Sequence, residues 1–148
     1  MELIMSFKDT VALTGKLTIS LNDVIVQELK NLVVTAGKGW IANRMQGVTV
    51  DIMSHMAIGT GSTAAVVANT ALETELVRGA LSVSGGTVVG AMITFEETYA
   101  AGVGTGAITE AGIFNDPTTG TMLARTVFAT VNKGAADVMT ISWDVTIS

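Results

Sequence analysis

The chain has 148 residues, 49% of them hydrophobic and 14% charged, with a formal net charge of −5, which suits a single domain over residues 1–148 with a sizeable core. Its eight Lys and Arg residues are spread along the chain, whereas a nucleic-acid-binding face needs several cations on one side, so we expect no nucleic-acid partner. The chain has no Cys and one His, which excludes disulfides, thiolate metal sites and multi-histidine metal sites.

The N-terminal segment, MELIMSFKDTVALTG, lacks the features of a signal peptide. Glu2 stands where a basic region is required, and Lys8 and Asp9 interrupt the apolar part. Further along, Gly, Thr, Ser, Asn or a charged residue interrupts every apolar run before the roughly 20 residues that a membrane span needs. We therefore expect a product of the cytoplasm that has no membrane partner.

A β-hairpin is predicted near the start of the chain. Apolar residues alternate with polar or small ones over residues 11–21, and this period of two is typical of a half-buried strand. Asn22-Asp23 then provides a turn, and residues 24–34 read as the second strand.

The middle of the chain is less regular. Residues 37–45, GKGWIANRM, break the period of two and predict one short helix near residues 38–45. Its apolar face contains Trp40, Ile41, Arg44 and Met45. Residues 53–58 predict a strand, and residues 64–78 are compatible with either a helical turn or an irregular strand.

Turn residues organise the remainder of the chain. The Gly85-Gly86 pair between the runs 80–84 and 87–99 predicts a hairpin, because two-residue hairpin turns need positive φ angles. The loop NDPTTG, which contains the only proline, predicts a second hairpin between residues 108–115 and 121–131. Residues 132–137 join the last two strands.

The C-terminal strand has the clearest alternation. Its apolar residues are Met139, Ile141, Trp143, Val145 and Ile147, with polar residues between them. In total the turns separate about eight strands, so we predict an all-β fold, an antiparallel β-sandwich of the jelly-roll or Ig-like kind.

Residues 59–64, Gly-Thr-Gly-Ser-Thr-Ala, fit the pattern G-x-G-x-x-[G/A], which in dinucleotide-binding folds lets backbone amides approach a pyrophosphate. Such a site also needs a long helix and an acidic residue about 20 positions further on. Val66 and Val67 are poor helix formers, and the chain reads Arg78-Gly79-Ala80 where the acid is required. We therefore interpret the segment as a loop at an edge of the sandwich, with glycines for chain reversal and no cofactor.

The residue types used in catalysis form no recognisable set. His55 follows Ser54, but adjacent residues of a strand face opposite sides, so a nucleophile–base pair is not expected. Most of the carboxylates read as solvated charges, although sequence does not exclude two that face each other across a glycosidase cleft. Glu75 is expected to pair with Arg78. Another ion pair is expected to join Glu110 to Arg125 or to Arg44.

Four segments of the sequence together carry a resemblance to a known class of protein. They are QELKNLVVTAGKGWIANRM (27–45), MSHMAIGTGSTAAVVANTALETELVR (53–78), GTGAITEAGIFN (104–115) and MLARTVFATVNKGAADVMTISWDVTIS (122–148). These segments resemble small virion structural proteins of tailed bacteriophages. Segments similar to EAGIFN also occur in phage tail-fibre and collar proteins.

The resemblance implies a non-enzymatic β-sandwich protein in the virion, with no catalytic, cofactor-binding or metal-binding residue to carry over. We expect a capsid decoration or cement protein that bridges subunits of the major capsid protein, as a homotrimer or homodimer. A tail or neck component is the alternative, and a small β-fold hydrolase is a remote one. The low charged fraction agrees with surface that is buried against other subunits, since about 25% is usual.

Overall fold

The computed structural model describes residues 9–148, which form ten β-strands and one α-helix. The strands make two antiparallel five-stranded sheets. The first sheet contains, in spatial order, β2 (Val24–Lys30), β1 (Leu13–Leu21), β10 (Met139–Ile147), β7 (Met92–Tyr99) and β6 (Thr87–Val89). The second contains β3 (Leu32–Val33), β9 (Met122–Lys133), β8 (Gly106–Phe114), β4 (His55–Gly59) and β5 (Glu75–Ala80). Helix α1 (Thr35–Gln46) lies between β3 and β4 in the chain. The predicted all-β sandwich is confirmed.

Two of the three predicted hairpins form as expected. Asn22 and Asp23 have φ angles of 51° and 65° and connect β1 to β2, whose residues Leu21 and Val24 pair. Both residue types tolerate this left-handed region better than most. Strands β8 and β9 pair on either side of the NDPTTG loop, where Asn115 accepts a hydrogen bond from the amide of Thr121.

The Gly85-Gly86 hairpin is a wrong prediction. Both glycines have positive φ angles, of 84° and 75°, but they link β5 in the second sheet to β6 in the first. The hairpin lies further on, at Gly90-Ala91, where Val89 pairs with Met92. Glycines at positive φ reverse the chain, but they do not determine which sheet receives the next strand.

The strand predicted over residues 24–34 is also divided between the sheets. Strand β2 ends at Lys30, and β3 pairs with β9 in the second sheet. The divisions of residues 24–34 and 87–99 each add one strand to the predicted eight, giving ten in residues 9–148. The strand predicted over residues 80–84 is wrong: β5 ends at Ala80, and residues 81–86 form no strand. Residues 64–74 form no helix, and β5 begins only at Glu75.

The main core lies between the two sheets. Leu17 and Ile19 of β1 face it, together with Met139, Ile141, Trp143 and Val145 of β10. The predicted alternation of β10 is therefore confirmed over most of its length. Ile147, at the end of the strand, is instead 49% exposed.

Helix α1 is longer than the predicted segment 38–45. Trp40 and Ile41 pack against the main core, as the predicted apolar face requires. Arg44 and Met45 are exposed, Met45 by 84%, so only half of that face is covered within one copy of the chain. In the described part of the chain, no helix is long and apolar enough to cross a membrane.

Candidate functional site

The loop of residues 60–74 crosses the outer face of the second sheet. Ala57 of β4 lies between Met56 and Ile58, which belong to the main core, so its side chain faces the opposite side of the sheet. There it packs in a second, smaller cluster with Leu72 of the loop. The other members of that cluster are Val34, Phe114 and Met122.

At its far side the loop reaches helix α1. The amide of Thr35 donates a hydrogen bond of 2.8 Å to the carbonyl of Val67. The prediction that this loop lies at an edge of the sandwich is therefore wrong: the loop leads into the edge strand β5, but most of it covers the face. The apolar Leu72 is the physical reason, because its burial requires the loop to fold back over the sheet.

The carboxylate of Glu110 holds this loop in place. Glu110 is fully buried on β8. Its Oε1 accepts hydrogen bonds from the amides of Gly61 (3.0 Å) and Thr74 (2.7 Å), and its Oε2 accepts one from the amide of Glu73 (3.0 Å). One side chain therefore binds both ends of the loop, which keeps backbone donors paired where water does not reach them.

Arg125 of β9 neutralises this buried charge. Its Nε and Nη2 both donate to Oε2 of Glu110, at 3.0 and 2.8 Å. The same guanidinium donates to the carbonyl of Thr63 at 3.1 Å and to Oδ1 of Asn69 at 3.0 Å. The partner of Glu110 is thus Arg125 and not Arg44. Arg125 also connects this ion pair to the loop through Thr63 and Asn69.

The outer part of the loop is ordered by the same network. Oδ1 of Asn69, which Arg125 binds, also accepts a hydrogen bond of 2.8 Å from the amide of Val66. This fixes a tight turn over residues 66–69, closed by the Asn69 amide and the Val66 carbonyl. The side chains of Val66 and Val67 are about half exposed on that turn. The network therefore presents an apolar loop tip in one conformation.

The backbone amides that a dinucleotide phosphate would need already donate hydrogen bonds to carboxylates of this chain. The amide of Gly61 donates to Glu110, and the amide of Thr63 donates to Glu73 at 2.7 Å. No helix follows the glycines before β5, so the dipole that favours a phosphate is missing. These contacts support the interpretation of the segment as a loop.

The two glycines of the pattern are required for a different reason from the one predicted. Neither Gly59 nor Gly61 has a positive φ angle, so neither position needs glycine for a left-handed turn. A Cβ atom on Gly59 would lie 2.3 Å from the carbonyl oxygen of Thr74. On Gly61 it would lie 2.5 Å from Oε1 of Glu110. Both glycines therefore allow close approach of the loop to its anchor.

The pKa values of the two loop-binding carboxyls reflect these contacts. Burial is the largest influence on Glu110 and raises its pKa, but the amide of Thr74, the guanidinium of Arg125 and two further amides together outweigh it and lower the pKa below 4.5. The pKa of Glu73 is lowered by the amide and hydroxyl of Thr63. Both groups are therefore carboxylates at neutral pH.

Ser54 and His55 do meet, contrary to the sequence prediction. Ser54 Oγ lies 2.8 Å from His55 Nδ1. Ser54 precedes the first residue of β4, so the strict alternation of a strand does not apply to it. Among the hydrogen bonds of residues 9–148, none joins His55 to a carboxylate, which is the orienting group of a catalytic triad.

The predicted ion pair of Glu75 and Arg78 is confirmed, and it does more than join two residues of β5. The guanidinium donates to both carboxylate oxygens, at 2.9 and 2.7 Å, and lies over the ring of Phe114. It also donates to the carbonyls of Asp116 and Thr119. Arg78 therefore binds the NDPTTG loop to the edge of the second sheet.

One buried charge was missed by the sequence reasoning. Lys133, at the end of β9, is 2% exposed, and its Nζ donates to the carbonyls of Ala100 and Asp137 at 2.9 and 2.7 Å. Its position two residues after the buried Val131 places it on the same face of the strand. The spacing of two from Val131 is the sequence feature that indicates the burial of Lys133.

In the region that the structure describes, no group of three or more His, Asp and Glu side chains is arranged to hold a metal ion. A comparison of the chain with models of protein families, with curated proteins and with solved structures finds no match.

Proposed function

We propose that this chain is a non-enzymatic structural protein of a tailed-bacteriophage virion. The specific role that we propose is a capsid decoration or cement protein that bridges neighbouring subunits of the major capsid protein. The observation that carries the proposal is the loop of residues 60–74, which holds exposed valines in one conformation by means of a buried ion pair.

The internal use of charge supports a structural role. Both oxygens of Glu110 accept hydrogen bonds from the chain itself, and Arg125 donates from all three of its nitrogens. A catalytic acid or base needs an atom that can reach a substrate. In this network the charged groups instead stabilise the position of the loop.

The segments behind the resemblance also meet in this network. Gly61 and Glu73 come from residues 53–78, Glu110 comes from residues 104–115, and Arg125 comes from residues 122–148. Three segments that are far apart in the chain therefore form one structural unit. This supports treating these three of the four similar segments as one feature.

The proposed mechanism is mechanical. A loop that is already ordered loses little conformational entropy when it docks, so more of the contact energy contributes to binding. Binding to the assembled head but not to free subunits stabilises the head by mass action. Val66 and Val67 are the side chains that we expect to be buried against the capsid.

The test uses particles of the phage that encodes the protein. A stained gel of purified virions should show the chain at a copy number comparable to that of the major capsid protein. Heads assembled without it should disrupt at a lower temperature than wild-type heads. When salt is removed, they should also disrupt at a salt concentration at which wild-type heads are still intact. Added protein should restore the stability of these heads. A few copies per virion would contradict the decoration role and support the tail or neck alternative.

The loop is tested with a matched pair of variants. Val66→Asp with Val67→Asp should abolish binding to heads, because it buries two charges in the contact. Val83→Asp, which changes an exposed valine in the link between β5 and β6, should bind normally. Equal binding by both variants, with unfolding transitions like that of the wild type, would exclude the loop as the docking surface.

A further inference from the structure

An apolar groove lies at the end of the sandwich where β1 begins and β10 ends. It consists of two adjoining cavities of about 270 and 790 Å³ that share Leu13, Ile41, Met45 and Ile147. Helix α1 forms one wall, and the β6–β7 turn closes the smaller cavity. We call this surface the α1 groove.

The α1 groove exposes large apolar side chains and carries positive charge. Met45 and Ile147 are exposed within it, as are Val11 in the larger cavity and Val88 in the smaller one. Among residues 9–148, the charged residues that line the two cavities are cationic, Lys38 and Arg44. In a chain with a net charge of −5, this is a local reversal of sign.

The opposite end of the same sandwich also exposes apolar side chains, but the charged residues beside them are acidic. Strand β1 has nine residues, so its two ends are eight steps apart, about 27 Å at roughly 3.4 Å per residue in an antiparallel sheet. There the Asn22-Asp23 turn leads into Val24, Ile25 and Val26, and all three side chains are exposed. We call residues 23–26, with the neighbouring Asp137 and Val138, the β1–β2 tip.

Hydrogen bonds fix the shape of the β1–β2 tip. The amide of Asn22 donates to the carbonyl of Val138, and the amide of Val138 donates to Oδ1 of Asn22. Asn22 Nδ2 also donates to Asp137 Oδ1 at 2.8 Å. The pKa of Asp137 is lowered, first by that contact, so Asp137 is anionic at neutral pH.

We propose that the β1–β2 tip of one copy of this chain docks in the α1 groove of another copy. Each surface presents exposed valine or isoleucine side chains, and the acidic groups of the tip complement Lys38 and Arg44 of the groove. The occupant is a second copy because the same chain carries both surfaces. Their positions at opposite ends of β1 make the contact head-to-tail, which gives a closed ring or an extended filament.

This proposal is independent of the role in a virion. It uses residues at the two ends of the sandwich, whereas the proposed capsid contact uses the loop tip on the outer face of the second sheet. Val66→Asp with Val67→Asp should leave self-association unchanged, so either proposal can fail alone.

The experiment measures molar mass by sedimentation equilibrium or light scattering as a function of concentration. The wild type should exceed the 15.2 kDa of one chain. Met45→Glu in the groove and Ile25→Lys in the tip should each give a single chain at concentrations where the wild type associates. Both positions are exposed, so neither change removes a core contact, and circular dichroism should confirm the fold.

Mixing the two variants distinguishes head-to-tail contact from symmetric contact. Each variant keeps one intact surface, so the mixture should associate although neither variant does so alone. Val83→Lys should behave like the wild type. A single-chain wild type, unchanged association of either variant, or a mixture that stays at 15.2 kDa would each overturn the proposal.

Discussion

Gly61 and Glu110 show how a single contact determines the role of a motif. The glycine looks like part of a phosphate-binding turn, but its amide donates to a buried carboxylate of the same chain. The carboxylate in turn requires a residue without a Cβ atom at that position. The glycine and the acid therefore depend on each other, which is a relation that neither residue reveals alone.

Substitution of Gly61 by Val tests this relation. The added side chain would overlap Glu110 and the Cβ atom of Glu73, and we expect a loss of about 1–3 kcal/mol or more in the free energy of unfolding. Urea denaturation measures the change. A variant as stable as the wild type would contradict the role of Gly61, and nucleotide binding by the wild type would contradict the interpretation of the loop.

Helix α1 is the element in which packing and intrinsic propensity conflict most clearly. It contains Gly37 and Gly39, and glycine disfavours helix formation. Gly37 is buried, and a Cβ atom there would lie 2.1 Å from the carbonyl oxygen of Leu123 in β9. Gly39 is exposed, and apart from its chain neighbours and its own helix backbone no atom of residues 9–148 lies within 4 Å of its ideal Cβ position. Only the first glycine is required by the fold.

The pair of substitutions Gly37→Ala and Gly39→Ala separates these effects within one helix. Gly39→Ala should increase the free energy of unfolding by about 0.5–1 kcal/mol, because alanine favours the helix. Gly37→Ala should decrease it by about 1–3 kcal/mol, because the helix must move away from β9. Thermal and urea unfolding give both values. Stabilisation by both substitutions would show that α1 does not pack as closely as the structure has it.

The whole molecule depends on carboxylates that are paired or hydrogen-bonded in the folded state. The pKa is lowered below its ordinary value for Glu73, Glu110, Asp116 and Asp137. Glu97 is the opposite case, because burial raises its pKa. A lowered pKa stabilises the fold above the unfolded-state value and loses this contribution as the pH falls through the folded-state value. Glu97 acts in the opposite sense: its raised pKa stabilises the fold below the unfolded-state value, and this contribution is lost as the pH rises through the folded-state value. The four other groups therefore oppose it.

We therefore expect the free energy of unfolding to fall as the pH drops below about 4.5, the ordinary pKa of Glu110. Glu110→Gln should lower the free energy of unfolding at neutral pH by about 3–5 kcal/mol, because Arg125 then lacks its buried partner. The same variant should show a weaker dependence on pH below that value. Urea denaturation from neutral to acidic pH measures both effects. An equal dependence in wild type and variant would exclude Glu110 as a source of acid sensitivity.

The sequence by itself determined the local features of this protein. The period of two in residues 139–147 and the Asn22-Asp23 turn predict strands and reversals, because side-chain alternation and left-handed φ angles are local properties. Glu75 and Arg78 are also near in the chain, but strict alternation would place residues three apart on opposite faces of a strand. An irregular register of β5 against β4, between Glu75 and Val77, separates the two residues. From these features the all-β sandwich follows without reference to any distant contact.

The tertiary structure alone decided which strands share a sheet and what the glycine-rich loop binds. Gly85-Gly86 has the φ angles of a hairpin but joins two sheets, since the partner of a strand depends on burial of both faces and not on the turn. Glu110 lies 49 residues from Gly61 in the chain, so no local pattern connects them. Their contact arises because folding removes a carboxylate from water, and its stability then requires donors from whichever segment crosses that face.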